Sequence, residues 1–82
     1  MALNFKLHSR ETISVSGRTF VVSIEESGGL YRAVAKVRWK NTGMDGFPLA
    51  TNAFKDAHGA VKQITAELER LLRGGEILSP AY

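Results

Sequence analysis

The run TFVVSIEESGGLYRAVAKVRWK, residues 19–40, decides the fold. Phe20, Val22 and Ile24 alternate with Thr19, Val21 and Ser23. After Ser27-Gly28-Gly29 the alternation resumes, with Tyr31, Ala33, Ala35, Val37 and Trp39 facing one way and Arg32, Val34, Lys36, Arg38 and Lys40 the other. An apolar period of two is the mark of half-buried strands, and glycine between two such runs supplies the positive φ that a tight hairpin turn needs. The stretch therefore reads as an antiparallel hairpin, with strands at about 19–26 and 30–39.

Working upstream, Ile13 and Val15 alternate with Thr12, Ser14 and Ser16 and give a strand at about 12–16, joined to the next through Ser16-Gly17-Arg18. Leu3, Phe5 and Leu7 alternate with Asn4, Lys6 and His8, so residues 3–8 read as a further strand or as an arm. Downstream, residues 41–52 have loop composition, with Gly43, Gly46, Pro48 and the polar Asn41, Thr42, Asp45 and Asn52. From about 51 to 73, Phe54, Ala57, Val61, Ile64, Leu68 and Leu71 or Leu72 fall on three- and four-residue steps. That spacing predicts an amphipathic helix about 30 Å long. Thr51 or Asn52 is its expected N-cap. Asp56 near the start and Arg70 and Arg73 near the end suit the helix dipole, Glu69 and Arg73 form an i,i+4 pair, and Gly74-Gly75 is the stop. The tail, 74–82, holds Ile77-Leu78, which reads as an edge strand or a frayed end.

These elements predict a two-layer α+β fold. A three- to four-stranded antiparallel sheet of hairpins is followed by one long C-terminal helix packed on one face, in a single domain spanning 1–82. The chain has 82 residues, 44% hydrophobic and 23% charged, which leaves no room for a second domain and argues against disorder. A chain of this size buries only about 60–65% of its unfolded surface, so its stability is modest. The absence of cysteine excludes a disulfide scaffold. No window approaches the 18 apolar residues of a membrane span, and the first ten residues alternate instead of forming an apolar leader, so a cytoplasmic location is expected.

Catalytic groups are sparse. Glu25 and Glu26 are adjacent and point to opposite faces of a strand, and His58 lies about 200° around the helix from Asp56, so neither pair makes an acid–base couple. His8 falls on the polar side of its run and meets His58 only if the tertiary fold brings them together. There is no metal-ligand spacing, and Gly28-Gly29 leads into a strand and lacks the Lys-Ser/Thr of a phosphate loop. The reading is a non-enzymatic chain without catalytic residues, cofactor, metal site or small-molecule substrate.

Charge is more informative. Residues 1–40 carry seven Lys or Arg against three Glu, whereas residues 41–82 carry four against five Asp or Glu, so the net +3 is a +4 sheet half and a −1 helix half. If the apolar face of the 30–39 strand packs on the helix, Arg32, Lys36, Arg38 and Lys40 line the outer face at intervals of about 6.6 Å, comparable to phosphate spacing. Lys6 and Arg18 are candidate flanking contacts. Tyr31 and Trp39 share the core-facing side and so are not stacking platforms.

The run from Phe20 to Ala33, followed by a loop and a helix containing Ala57, resembles the HicB-like antitoxin domain, which opens with a strand, an acidic-glycine turn and a second strand. Gly74-Gly75-Glu76-Ile77-Leu78-Ser79-Pro80 is similar to the glycine and short apolar-proline segment that follows that family's helix. The resemblance covers about residues 19–80 and implies a small toxin-like protein as partner. The chain departs from it at residues 39–48, where the family has a Pro-rich strand end, and carries no C-terminal DNA-binding element. The strand–strand–strand–helix order is also similar to plant ethylene-response-factor domains, whose sheet enters the major groove. Two functions are therefore expected: a small cytosolic interaction or regulatory module that pairs with a protein partner or with itself, or a nucleic-acid binder using the basic sheet face.

Overall fold

The computed structural model describes residues 4–40 and 47–80. Leu3 of the first expected strand, loop residues 41–46, and Ala81 and Tyr82 of the tail lie outside the described residues. The elements are β1 (Lys6–Val15), β2 (Arg18–Ser27), β3 (Leu30–Ala35), β4 (Val37–Trp39), β5 (Leu49–Ala50), α1 (Ala57–Arg73) and β6 (Ile77–Pro80). A four-stranded antiparallel sheet in the order β1-β2-β3-β5 is covered on one face by α1, which is the expected two-layer α+β arrangement. β4 and β6 form a separate antiparallel pair.

Turn chemistry sets the register. Ser16 and Gly17 both have positive φ, 51° and 76°, the geometry of the two-residue turn whose twist matches paired strands, and Val15 and Arg18 close it. Arg18 is thus the first residue of β2 and not part of the turn. Ser27 and Leu30 close the second hairpin around Gly28-Gly29. The strands expected at 3–8 and 12–16 are one strand of ten residues, because β2 is equally long and pairs with it throughout. The pairing slips by one residue between Leu7 and Ser9, a bulge that absorbs His8.

Three further expectations are corrected. The strand expected at 30–39 is interrupted at Lys36, so β3 stays in the four-stranded sheet while β4 leaves it to pair with β6, Trp39 opposite Ile77. The tail is accordingly a strand, and Ile77 is buried. The helix begins at Ala57 and not near 51, because the preceding segment bonds to β3. The Thr51 N–H donates to the Ala33 carbonyl, the Thr51 hydroxyl oxygen accepts from the Ala33 N–H, and Phe54 and Tyr31 exchange both backbone bonds at 2.7 Å. Asp56, not Thr51 or Asn52, is the N-cap, its carboxylate accepting from the Gly59 N–H at 2.7 Å.

At the other end the stop falls where glycine is found. Gly75 has φ +70°, its N–H donates to the Leu72 carbonyl and the Glu76 N–H to that of Leu71, the paired bonds of a Schellman cap. The Glu69–Arg73 pair is present at 2.6 Å. Arg70 sits between Glu67 and Glu76, and its hydrogen bond to Glu67 raises its pKa above the ordinary value.

The core lies between α1 and the sheet. Ala60, Ile64, Leu68 and Leu71 meet Val15, Phe20, Val22, Ile24, Ala33 and Ala35, with Val37 and Ile77 closing one end. α1 lies mainly over β3, where the fully buried Ala33 and Ala35 let the helix approach between bulkier neighbours. No buried polar side chain occurs among the described residues. No helix among them is long and apolar enough to cross a membrane.

Candidate interaction surface

Paired residues share a face of the sheet and successive residues alternate between faces, so the register sorts side chains into a side toward α1 and an open side. The open side is built from the rows Leu7–Glu25–Arg32, Arg10–Ser23–Val34–Ala50, Thr12–Val21 and Ser14–Thr19. It is a surface of hydroxyls and valines, not a basic one. Val21 is 46% and Leu7 53% exposed.

The four cations expected along the outer face, Arg32, Lys36, Arg38 and Lys40, are divided between the two sheets and the segments beside them. Arg32 alone belongs to the open side of the four-stranded sheet, and it is engaged there: its Nε donates to the Glu25 carboxylate at 2.7 Å, and its guanidinium lies 4.2 Å from the centre of the Phe5 ring. Lys36 lies at the break between β3 and β4, Arg38 in the second sheet and Lys40 just after it, so these three lie beyond the four-stranded sheet although the alternation of exposed and covered residues continues through them. Lys6 pairs in register with Glu26, and Arg18 with Val15, which places both on the side toward α1. Lys36, Arg38 and Lys40 are exposed and make no ion pair among the described residues. Beside them the Trp39 indole N–H donates to the carbonyl of Phe47, whose own side chain is 58% exposed.

The sequence reading missed the margin of the sheet along β1. Among the described residues this strand pairs with β2 alone, so it is an edge ten residues long. Because Val15 and Arg18 close a two-residue turn, the backbone groups of Val15, Ile13 and Glu11 point into the sheet, and those of Ser14, Thr12 and Arg10 point outward. α1 covers only the far end of this strand, where Val15 is buried: Ser9 and Glu11 are exposed on the helix side and Ile13 is half-buried.

A groove of about 330 Å³ opens between β1 and the first turns of α1, lined by His8, Ser9, Glu11, Ile24, Ala57, His58 and Val61. Both histidines of the chain therefore line one groove. The bulge explains it. His8 and Ser9 both face α1, the His8 ring packing edge-on against Tyr31 at 5.3 Å, while Leu7 is left on the open side. Strict alternation puts His8 on the opposite face, and no residue type at 7–9 announces the extra position. No set of three or more His, Cys, Asp or Glu side chains among the described residues is placed to hold a metal ion.

Family models, curated proteins and solved structures were compared with the chain and none matches, so geometry carries the functional reading.

Proposed function

We propose that the chain is a small, non-enzymatic cytosolic interaction module that recruits a partner strand along β1. The observation that carries this reading is the combination of a ten-residue edge with outward backbone groups at Arg10, Thr12 and Ser14 and a flank left open by the helix at Ser9 and Glu11. The partner's main chain supplies affinity through those groups, and the groove at His8, Glu11 and His58 selects among side chains projecting to the helix side. The HicB-like resemblance names one partner class, a small toxin-like protein, which a neighbouring reading frame would reveal.

Thr12→Pro tests the edge, since proline removes an outward N–H that the pairing with β2 does not use. Affinity capture with the wild-type and Thr12→Pro chains, matched for helicity by circular dichroism, should lose the same specific partner in the variant. Equal capture by both chains overturns the reading.

A second reading is favoured by Lys36, Arg38 and Lys40, three exposed cations within five residues, without an ion pair among the described residues and next to the exposed Phe47. These residues supply phosphate contacts to a nucleic acid, with Arg32, Lys6 and Arg18 outside the contact set. Fluorescence anisotropy with duplex and single-stranded oligonucleotides at low salt tests it, and absence of binding there rejects it.

A further inference from the structure

We infer that the strand recruited along β1 is the β1 of a second copy, paired antiparallel about Thr12. This rests on the interaction-module reading and names its partner. Two identical antiparallel strands are related by a two-fold axis perpendicular to the sheet, so one residue of β1 must sit opposite its own counterpart. The regular part of β1 runs from Ser9, where the bulge ends, to Val15, where the turn begins, and its midpoint is Thr12. Thr12 is also one of the residues whose N–H and C=O point outward, so the central pair exchanges two hydrogen bonds, and Arg10 and Ser14 exchange two more on either side.

Charge selects this register from its neighbours. Centring on Arg10 or on Glu11 sets like charges opposite each other, which destabilises a sheet. Centring on Thr12 sets Arg10 opposite Ser14, Glu11 opposite Ile13 and Ser9 opposite Val15, with a threonine pair in the middle, and the seven-residue segment is itself neutral. It also covers Ile13, the half-buried apolar side chain at the margin of the core, with the stem of the partner copy's glutamate. The product is one eight-stranded sheet, ordered β5-β3-β2-β1 in each half, with both helices on the same face.

A seven-residue strand pairing is at the small end of specific interfaces, so self-association belongs to a range of high chain concentration, roughly 10–500 μM. Sedimentation over that range should carry the wild-type mass from one copy to two, while Thr12→Pro stays at one copy with wild-type circular dichroism. The chain lacks cysteine, which gives a second arm that does not depend on proline. Under mild oxidation Thr12→Cys should form a disulfide dimer, since directly opposed residues lie about 5.5 Å apart. Ser14→Cys should not, because the two copies of residue 14 are separated by about 14 Å. A wild-type chain that stays monomeric, a Thr12→Pro chain that associates equally, or equal cross-linking of the two cysteine variants overturns the self-pairing. If the chain is monomeric yet Thr12→Pro still loses a captured foreign partner, self-pairing alone fails. If capture is also unchanged, the edge-strand reading fails with it.

Discussion

Asp56 carries a task that composition alone assigns to other residues. Its carboxylate holds the Gly59 N–H, one of the unpaired donors in the first turn of α1, and no other acidic side chain stands in that turn. Asp56→Ala should lower stability by about 1 kcal/mol, read as a fall in Tm, whereas Asn52→Ala should leave the helix start intact. The sequence shows several candidate caps, and choosing among them needs the tertiary fact that Thr51 is already bonded to Ala33. Gly75 is the opposite case. A glycine pair after an apolar run states its purpose locally, because only one conformation there both ends a helix and turns the chain.

Hairpins and helix were legible as elements because each follows a period, and the helix stripe at Ile64, Leu68 and Leu71 is the buried one. Periodicity does not report where a strand changes partner. Tyr31 to Trp39 alternates without a flaw, yet the chain leaves one sheet for another at Lys36, since Val37 and Trp39 find their partners in β6. That second pair closes one end of the core, with Ile77 and Val37 both buried in it and the Lys40 N–H bonded to the Glu76 carbonyl. Ile77→Ala should cost about 2–4 kcal/mol in a denaturant melt, a large share of the roughly 4–12 kcal/mol expected for a chain of this length. A loss under 1 kcal/mol would show that β6 is dispensable. The bulge in β1 was equally hidden, and with it the groove that gathers His8, Glu11 and His58.

Taken as a whole, the molecule keeps the charge asymmetry seen in the sequence but distributes it differently. The cations do not form a stripe on the sheet; Arg32 is neutralised by Glu25, and the exposed group is Lys36, Arg38 and Lys40 at one end. If these contact phosphates, the logarithm of the binding constant should fall against the logarithm of salt with a slope of about −2 to −3. The triple Lys36→Ala, Arg38→Ala, Lys40→Ala chain should flatten that slope, and Arg32→Ala should hardly change it. An unchanged slope in the triple variant assigns binding elsewhere.

The slip in β1 has a consequence for how the chain tolerates change in length. Leu7 lies on the open side and Ser9 on the helix side, the relation two adjacent residues have in an unbroken strand, so His8 is the one residue in β1 that the register does not count. A chain lacking His8 should keep every other side chain on its present face and melt within about 1 kcal/mol of the parent, as measured by thermal denaturation. Removal of Thr12 instead transposes one half of the strand. One site of free length thus sits at the mouth of the groove, where the contents can be altered without rewriting the sheet.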